Sequence, residues 1–375
     1  MRIPRSCAGL ALAGLLIALL AGCATETSPP GRQRSPEAIQ ADIQSLIPER
    51  VSQRAAWAVD LQLVFAGLKL EPSTENVCAV IAVTAQESGF NTDPPVPNLA
   101  RVAREEIDRR AERLGVPGFA VSLALTLRSP DGRAYEDRLA AVKTERELSE
   151  LFEAFINSVP LGQRLFAGWN PVRTGGPMQV SVDFAEAHVR ARPYPFPAQD
   201  TLRHEVFTRR GGLYFGTAHL LDYPALAYGP TMLYRFADFN AGRWASRNAA
   251  FQQALSVVGG QALDLDGDLF GSDPTQPGPT ERAARSLGGA LGLSNREIRR
   301  DLERSRDEDF DRSLLAAKVF ALAEQRSGRA QPRAVLPRIV LKSPKIKRRL
   351  TTEWFARRVD QRYQRCLALG RPGAG

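Results

Sequence analysis

The chain has 375 residues, 43% hydrophobic and 24% charged, with 50 Lys and Arg against 41 Asp and Glu for a formal charge of +9. That length accommodates one large domain or two. Only His188, His204 and His219 are present, and HEVF at 204 lacks the second histidine of a zinc-protease helix, which sets a metal hydrolase aside.

The first element in chain order is a leader. Arg2 and Arg5 precede AGLALAGLLIALLAGC, an apolar run too short for a comfortable membrane span and closed by small residues. Leu20, Ala21, Gly22 and Cys23 resemble the lipobox of bacterial lipoproteins, in which the cysteine is acylated and becomes the first mature residue. On that resemblance residues 1–22 are a lipoprotein signal peptide and Cys23 is the lipidation site. Ala24, in place of Asp, points to the periplasmic face of a Gram-negative outer membrane. The alternative is an uncleaved signal anchor. An exported lipoprotein does not meet nucleic acid. Residues 23–36, rich in Ser, Pro and charge, form a flexible tether. Export and lipidation leave Cys78 and Cys366, which an oxidising compartment pairs as a disulfide if they lie close. Otherwise Cys78 is a buried thiol among apolar helical neighbours.

Helical patterns dominate the chain beyond the tether. RAAWAVDLQLVFAGL has apolar residues at helical spacing, and STENVCAVIAVTAQES starts on a cap at Ser73 or Thr74 and stops at Gly89. NLARVAREEIDRRAERLG is a charged helix, RSPDGRAYE a turn, and TERELSELFEAFINSV opens with a capping box at Thr144 and Glu147. RTGGPMQVSVDF contains a short extended piece, FGSDPTQPGPTERA (270–283) is a surface loop, and SNREIRRDLERS repeats the capping box at Ser294 and Glu297. The fold class expected is therefore mainly α. Its parts are a core at 37–270, a long helical insertion at 93–170 and a C-terminal helical region at 271–375 packed on the core. Residues 331–375 hold 12 Lys and Arg against Glu353 and Asp360. TTEWFARRVDQRYQRC reads as an amphipathic helix, so this charge is either its solvated face or a contact with anionic lipid or cell wall. If Cys366 pairs with Cys78, the tail belongs to the core.

The acid in QESGF is the first candidate for chemistry. Val80, Thr84 and Glu87 fall at i, i+4 and i+7, so Glu87 shares a stripe with residues that face the interior or a cleft. Partial desolvation there raises a carboxyl pKa, as a general acid near neutrality requires. Taken singly, such a helix-end glutamate is more often solvated or structural. Three further segments follow in order: GGPMQVS (175–181), GGLYFGTAHLL (211–221) and YRFADFNAGRW (234–244). Together with QESGF they resemble the ordered motifs of lysozyme-like lytic transglycosylases. In those enzymes a Glu-Ser pair ends a helix, followed by a Gly-Leu-Met-Gln turn, a glycine-bearing helix and an Ala-Tyr-Asn-Ala-Gly turn. The whole chain also resembles a proteobacterial lipoprotein family defined by a domain of unknown function.

The transglycosylase resemblance implies a lysozyme-like helical fold and the cleavage of MurNAc–GlcNAc bonds of peptidoglycan to 1,6-anhydro products. It makes Glu87 the catalytic acid and then base, with Ser88 a hydroxyl that orients the site. Gly176, Met178 and Gln179 line the cleft, Gln179 facing an acetamido sugar. Asn240 holds substrate or the acid, and Gly242 permits the turn that presents it. The sequence departs from the pattern at Pro177, where leucine is usual, and at Phe239, where a tyrosine hydroxyl is usual. Tyr214 and Tyr234 are the candidates to replace that hydroxyl. About 87 residues separate Gly89 from Gly176, far more than in the family. The partners implied are glycan strands and, through Cys23, the outer membrane, with the insertion a cap over the cleft or a docking surface for an envelope protein. No metal or cofactor is required. A second reading keeps the fold as a glycan-binding or scaffold protein without catalysis. Asp264, Asp266, Asp268 and Asp273 suggest calcium, but the glycine falls at the fourth place of the loop and not the sixth of an EF-hand, so a turn at Asp266 and Gly267 is preferred.

Overall fold

The computed structural model describes residues 34–158, 170–198, 200–271, 273, 276–341 and 349–370. The leader, Cys23 and most of the tether lie outside the described residues. The chain divides near residue 40, and Gln40–Gly375 is one compact unit; of Met1–Ile39 only residues 34–39 are described, where a first helix begins. The described residues are mainly helical.

Helix α1 (Pro36–Leu46) runs across that boundary and is followed by α2 (Arg54–Leu68) and α3 (Thr74–Glu87). Ser73 caps α3, its side chain accepting from the Asn76 amide at 3.2 Å. Every residue from Val77 to Thr84 is buried, so α3 is covered on all its faces. It stops where Gly89 takes φ +60. Four insertion helices follow: α4 (Leu99–Arg113), α5 (Gly118–Leu125), α6 (Tyr135–Ala141) and α7 (Glu145–Ser158). Thr144 and Glu147 make the expected reciprocal bonds at the start of α7. The insertion has a small core of its own around Tyr135, Leu139, Leu148 and Leu151, and Val172 and Phe207 join it to the rest.

A two-stranded hairpin comes next, β1 (Thr174–Gly175) antiparallel to β2 (Val180–Ser181), with Gly175 opposite Val180. It leads through α8 (Val182–Ala191) and α9 (Leu202–Phe207) into α10 (Arg209–Leu221), α11 (Leu233–Ala241) and α12 (Ala245–Gly259). Helix α10 packs on α2, and the start of α10 is fixed by the buried Asp60 of α2, which takes Arg209 at 2.5 Å and Arg210 at 2.8 Å.

Helices α13 (Pro279–Ser286), α14 (Gly288–Leu291), α15 (Asn295–Glu303) and α16 (Leu314–Ser327) surround a core built on Phe251, Phe310 and Phe320. Leu269 and Phe270 belong to that core, so the expected division at residue 270 falls inside it and α12 serves as its spine. The loop expected at 270–283 is shorter, because Pro279 already opens α13.

A second hairpin, β3 (Val340–Leu341) with β4 (Leu350–Thr351), delivers the chain to α17 (Thr352–Leu369). Phe355, Ala356, Val359, Tyr363 and Cys366 of α17 are buried against α3 and α11, while Arg357 and Arg358 face solvent. The basic residues of α17 are thus on the outer side of a core helix. Cys78 and Cys366 form a disulfide, with 5.5 Å between Cα atoms, that clamps α17 onto α3 across 288 residues of chain.

Replacing both cysteines with serine is expected to lower unfolding stability by roughly 2–5 kcal/mol. Urea denaturation of the oxidised parent, the reduced parent and the double variant measures it. The last two should coincide below the first, and three equal midpoints would show the clamp to be dispensable.

Candidate active site

The turn between β1 and β2 is set into a bed that only glycine provides. A Cβ on Gly176, which sits at φ +72, would stand 2.1 Å from the Val206 carbonyl oxygen. On α10 the glycines at 212 and 216 share one face. A Cβ at Gly212 would lie 2.4 Å from Pro177 Cδ, and one at Gly216 would lie 2.4 Å from Met178 Sδ. Pro177 and Met178 therefore press directly on the α10 backbone. Met178 has 0% exposure, which corrects the expectation that it lines a cleft: it is the peg that seats the turn.

Ser88 joins the end of α3 to this turn. Its hydroxyl reaches the Pro177 carbonyl at 2.8 Å, closer than the Thr84 carbonyl of its own helix at 3.2 Å. Glu87, half-buried, is the neighbouring residue and closes α3. Phe90 anchors the other side by meeting Trp57 edge-on at 5.1 Å. Gln179, half-buried at φ 51, donates from its backbone to the Gly176 carbonyl at 3.1 Å and touches the same oxygen through its side-chain amide at 3.3 Å. QESGF and GGPMQ, 89 residues apart at Ser88 and Pro177, are thus joined by a hydrogen bond.

The fourth motif lies at the end of α11. Gly242, at φ 107, returns its amide to the Asp238 carbonyl at 2.7 Å. Asn240 is exposed and accepts from the Thr352 hydroxyl at 3.3 Å, at the head of α17. Helices α3 and α17 run antiparallel, since Cys78 is bonded to Cys366 and Gln86 accepts from Arg362 at 3.1 Å. The end of α3 that carries Glu87 therefore runs toward the end of α17 that touches Asn240. Ten residues of helix, about 15 Å, separate Arg362 from Thr352.

Phe239 and Tyr214 occupy structural positions. Phe239 is half-buried with its ring against His219 at 5.2 Å, and its carbonyl accepts from His219 Nε2 at 3.3 Å. Burial pushes the His219 imidazole down to about 4, so it is neutral and donates from Nε2. Tyr214 has 0% exposure and pairs with His188 Nε2 at 3.3 Å among Tyr194, Phe196 and Phe215. A ring so enclosed does not touch a substrate, which corrects its place among the substrate-binding residues. Tyr234 packs on Tyr228.

The strongest polar feature of this region was not singled out from the sequence. Asp238, at the centre of FADFN, is buried and accepts from the Tyr223 hydroxyl at 3.2 Å, the Tyr228 hydroxyl and the Ser246 amide at 2.7 Å. Burial pushes its carboxyl up to about 6 against the bonds that favour the anion. Arg243 of the same motif caps α10 through the Ala218 and His219 carbonyls at 2.5 and 3.3 Å, wedged over the Phe184 and Tyr223 rings. The only available signal was an acid and a base inside otherwise apolar segments.

Asp266 is engaged by Gln252 at 2.7 Å and by the Asp268 amide at 3.0 Å, with Gly267 at φ 77, which is a turn. Among the described residues no group of three or more His, Cys, Asp or Glu is placed to hold a metal ion.

The family model DUF1615, described as a protein of unknown function, matches residues 50–369, and the chain belongs to that family. That span contains all four motifs. The chain is also 51% identical over 357 residues to the protein of Escherichia coli (strain K12) described as "Uncharacterized protein YaiW", covering 94% of this chain and 96% of that one. No solved structure matches.

Gly216→Ala is expected to cost about 1–3 kcal/mol, because Met178 must leave its seat. Gly289→Ala, where a Cβ meets nothing within 4 Å, should fall within about 0.5 kcal/mol of the parent. Thermal melts of the two variants decide this, and equal melts would show that the turn is not seated as described.

The raised pKa of Asp238 sets a pH dependence. Stability from this group is complete below its ordinary value of 3.8 and is lost as pH rises through about 6. The advantage of the parent over Asp238→Asn in urea should therefore shrink between pH 4 and pH 7, by up to about 3 kcal/mol. A gap that stays constant over that range would contradict the assignment.

Proposed function

We propose that the chain is a lipoprotein of the outer membrane, anchored through Cys23, that cleaves peptidoglycan glycan strands as a lytic transglycosylase. The single observation that supports this most is the hydrogen bond from Ser88 to the Pro177 carbonyl at 2.8 Å. It joins the Glu-Ser helix end to the Gly-Gly-Pro-Met-Gln turn, the juxtaposition that the family resemblance requires, although 89 residues separate them. Within the insertion the chain folds back on its own start: the Val96 amide donates to the Lys143 carbonyl at 2.8 Å and Arg146 meets Asp93 at 2.8 Å.

Glycosidic cleavage passes through an oxocarbenium-like state and usually takes two carboxylates. In this reading one suffices. Glu87 gives its proton to the leaving oxygen, the substrate's own acetamido group steadies the cation, and Glu87 then takes the proton of the muramyl 6-hydroxyl as that oxygen closes the anhydro ring. Gln179 keeps donor and acceptor capacity for an acetamido group beyond its contacts within the turn.

A binding protein without catalysis is the second reading. It is favoured by Phe239, whose ring has no hydroxyl, and by the commitment of Tyr214 to His188. Digestion of purified sacculi separates the two. The parent should release 1,6-anhydro-muropeptides detectable by mass spectrometry, and Glu87→Gln should release them at least about 10²-fold more slowly. Equal release by both proteins removes Glu87 from the chemistry, and sedimentation with sacculi without any product establishes the binder.

A further inference from the structure

The insertion core is incompletely filled. A cavity of about 250 Å³ lies among α4, α5, α6 and α7, walled by apolar side chains such as Ile107, Ala120, Ala124, Phe152 and Phe155. An apolar cavity of about 150 Å³ is already enough to stay dry and take up benzene. Close packing is the rule in protein interiors, so a larger void with apolar walls is a site awaiting an apolar occupant.

The charged edge of the cavity lies on α4. Glu106 and Arg110 are the charged residues that line it. The Glu106 carboxylate takes Arg110 at 2.6 Å and Arg109 at 2.7 Å, with Arg113 more distant at 4.0 Å. With Glu112 on the same turn, two carboxylates stand among Arg109, Arg110 and Arg113, which leaves one positive charge in excess there. Arg101 and Arg104, further along α4, are instead matched by Glu105 and Asp108.

Helix α5 forms one wall. Val121 and Leu125 face inward and are buried, yet the outer face carries Phe119 at 76% exposure and Leu123 at 68%, with Leu127 beyond at 51%. A helix apolar on both faces, with one face in water, gives an alkyl chain an apolar approach to the opening beside the half-exposed Val116.

We propose that this cavity binds a single-chain anionic amphiphile, with its alkyl chain inside and its carboxylate or phosphate head at Arg109, Arg110 and Arg113. The head replaces Arg113's distant contact with a direct charge-assisted bond, and the chain fills the void. The site is distinct from the Glu87 surface and does not depend on the activity proposed for it.

Calorimetric titration of the chain from residue 24 onward, purified without detergent, tests this with laurate, dodecyl phosphate and dodecanol. One-site binding of laurate or dodecyl phosphate is expected, with dodecanol at least tenfold weaker. Binding of laurate alone identifies a fatty acid as the natural class, and of dodecyl phosphate alone a lipid phosphate. Ala124→Phe should lower the affinity for the anionic probes at least tenfold by filling the cavity. Ala120→Leu provides a milder filling whose melting temperature reports on folding. Arg113→Gln should weaken the anionic probes several-fold and leave dodecanol unchanged. No saturable binding to any probe, affinity unaltered by both fillings, or dodecanol binding as tightly as laurate would each overturn the proposal.

Discussion

Helix α3 is buried from Val77 to Thr84, and each part of the candidate site takes its position from it. Burying a valine or isoleucine side chain contributes roughly 1.5–3 kcal/mol, and α3 supplies Val77, Val80, Ile81 and Val83 in a row. Such a helix has no free face for chemistry; its end is what remains. The covalent bond from Cys78 to Cys366 fixes the opposite half, so that α17 and α3 cannot slide past each other. Glu87 lies at the last turn of this buried, disulfide-tied helix, so its backbone is held in place from both sides.

The glycines of α10 and the polar residues of α11 complete the same frame by different physics. Gly212 and Gly216 permit backbone contact with Pro177 and Met178, and contact at that distance transmits position with little slack. Asp238 and Arg243 act at the other end of α10 and at the start of α12. A buried carboxylate is costly unless its lone pairs are filled, and Asp238 fills them from Tyr223, Tyr228 and Ser246. Arg243 answers the orphan carbonyls at the end of α10. These groups order the segment that carries Asn240 and Gly242, so part of the fourth motif is scaffold.

What was legible in the sequence was local. Ser73, the Thr144 and Glu147 pair and the Ser294 and Glu297 pair are capping devices whose bonds close within three residues, and the structure contains each. The extended piece in RTGGPMQVSVDF is limited to two short strands, because the chain enters α8 at Val182. The burial of Met178 and Tyr214 was not legible, because it is set by α10, α8 and the Tyr194 segment, distant in sequence. The division of the C-terminal half was missed for the same reason: α12 reads as an ordinary helix, and only its contacts with α16 make it the spine of a second core. The pairing of Cys78 with Cys366 needed the compartment as well as the residues, since spacing alone carries no signal across 288 positions.

The tail shows how an overall charge can mislead about partners. Twelve basic residues in the last 45 suggest a polyanion or a membrane when counted, yet the four on α17, Arg357, Arg358, Arg362 and Arg365, alternate with Phe355, Val359, Tyr363 and Cys366, which are buried on α3 and α11. Their charge is the polar side of a helix held in place by its apolar side. Arg362 is an exception in degree: it is partly desolvated, near Arg50, Arg358 and Arg365, and directed at Gln86. These like charges do not cancel one another, and they lie beside the residue that precedes Glu87. The basic residues of α17 thus sit on a helix that the disulfide ties to α3, the helix that ends at Glu87, so they belong to the core rather than to a separate tail.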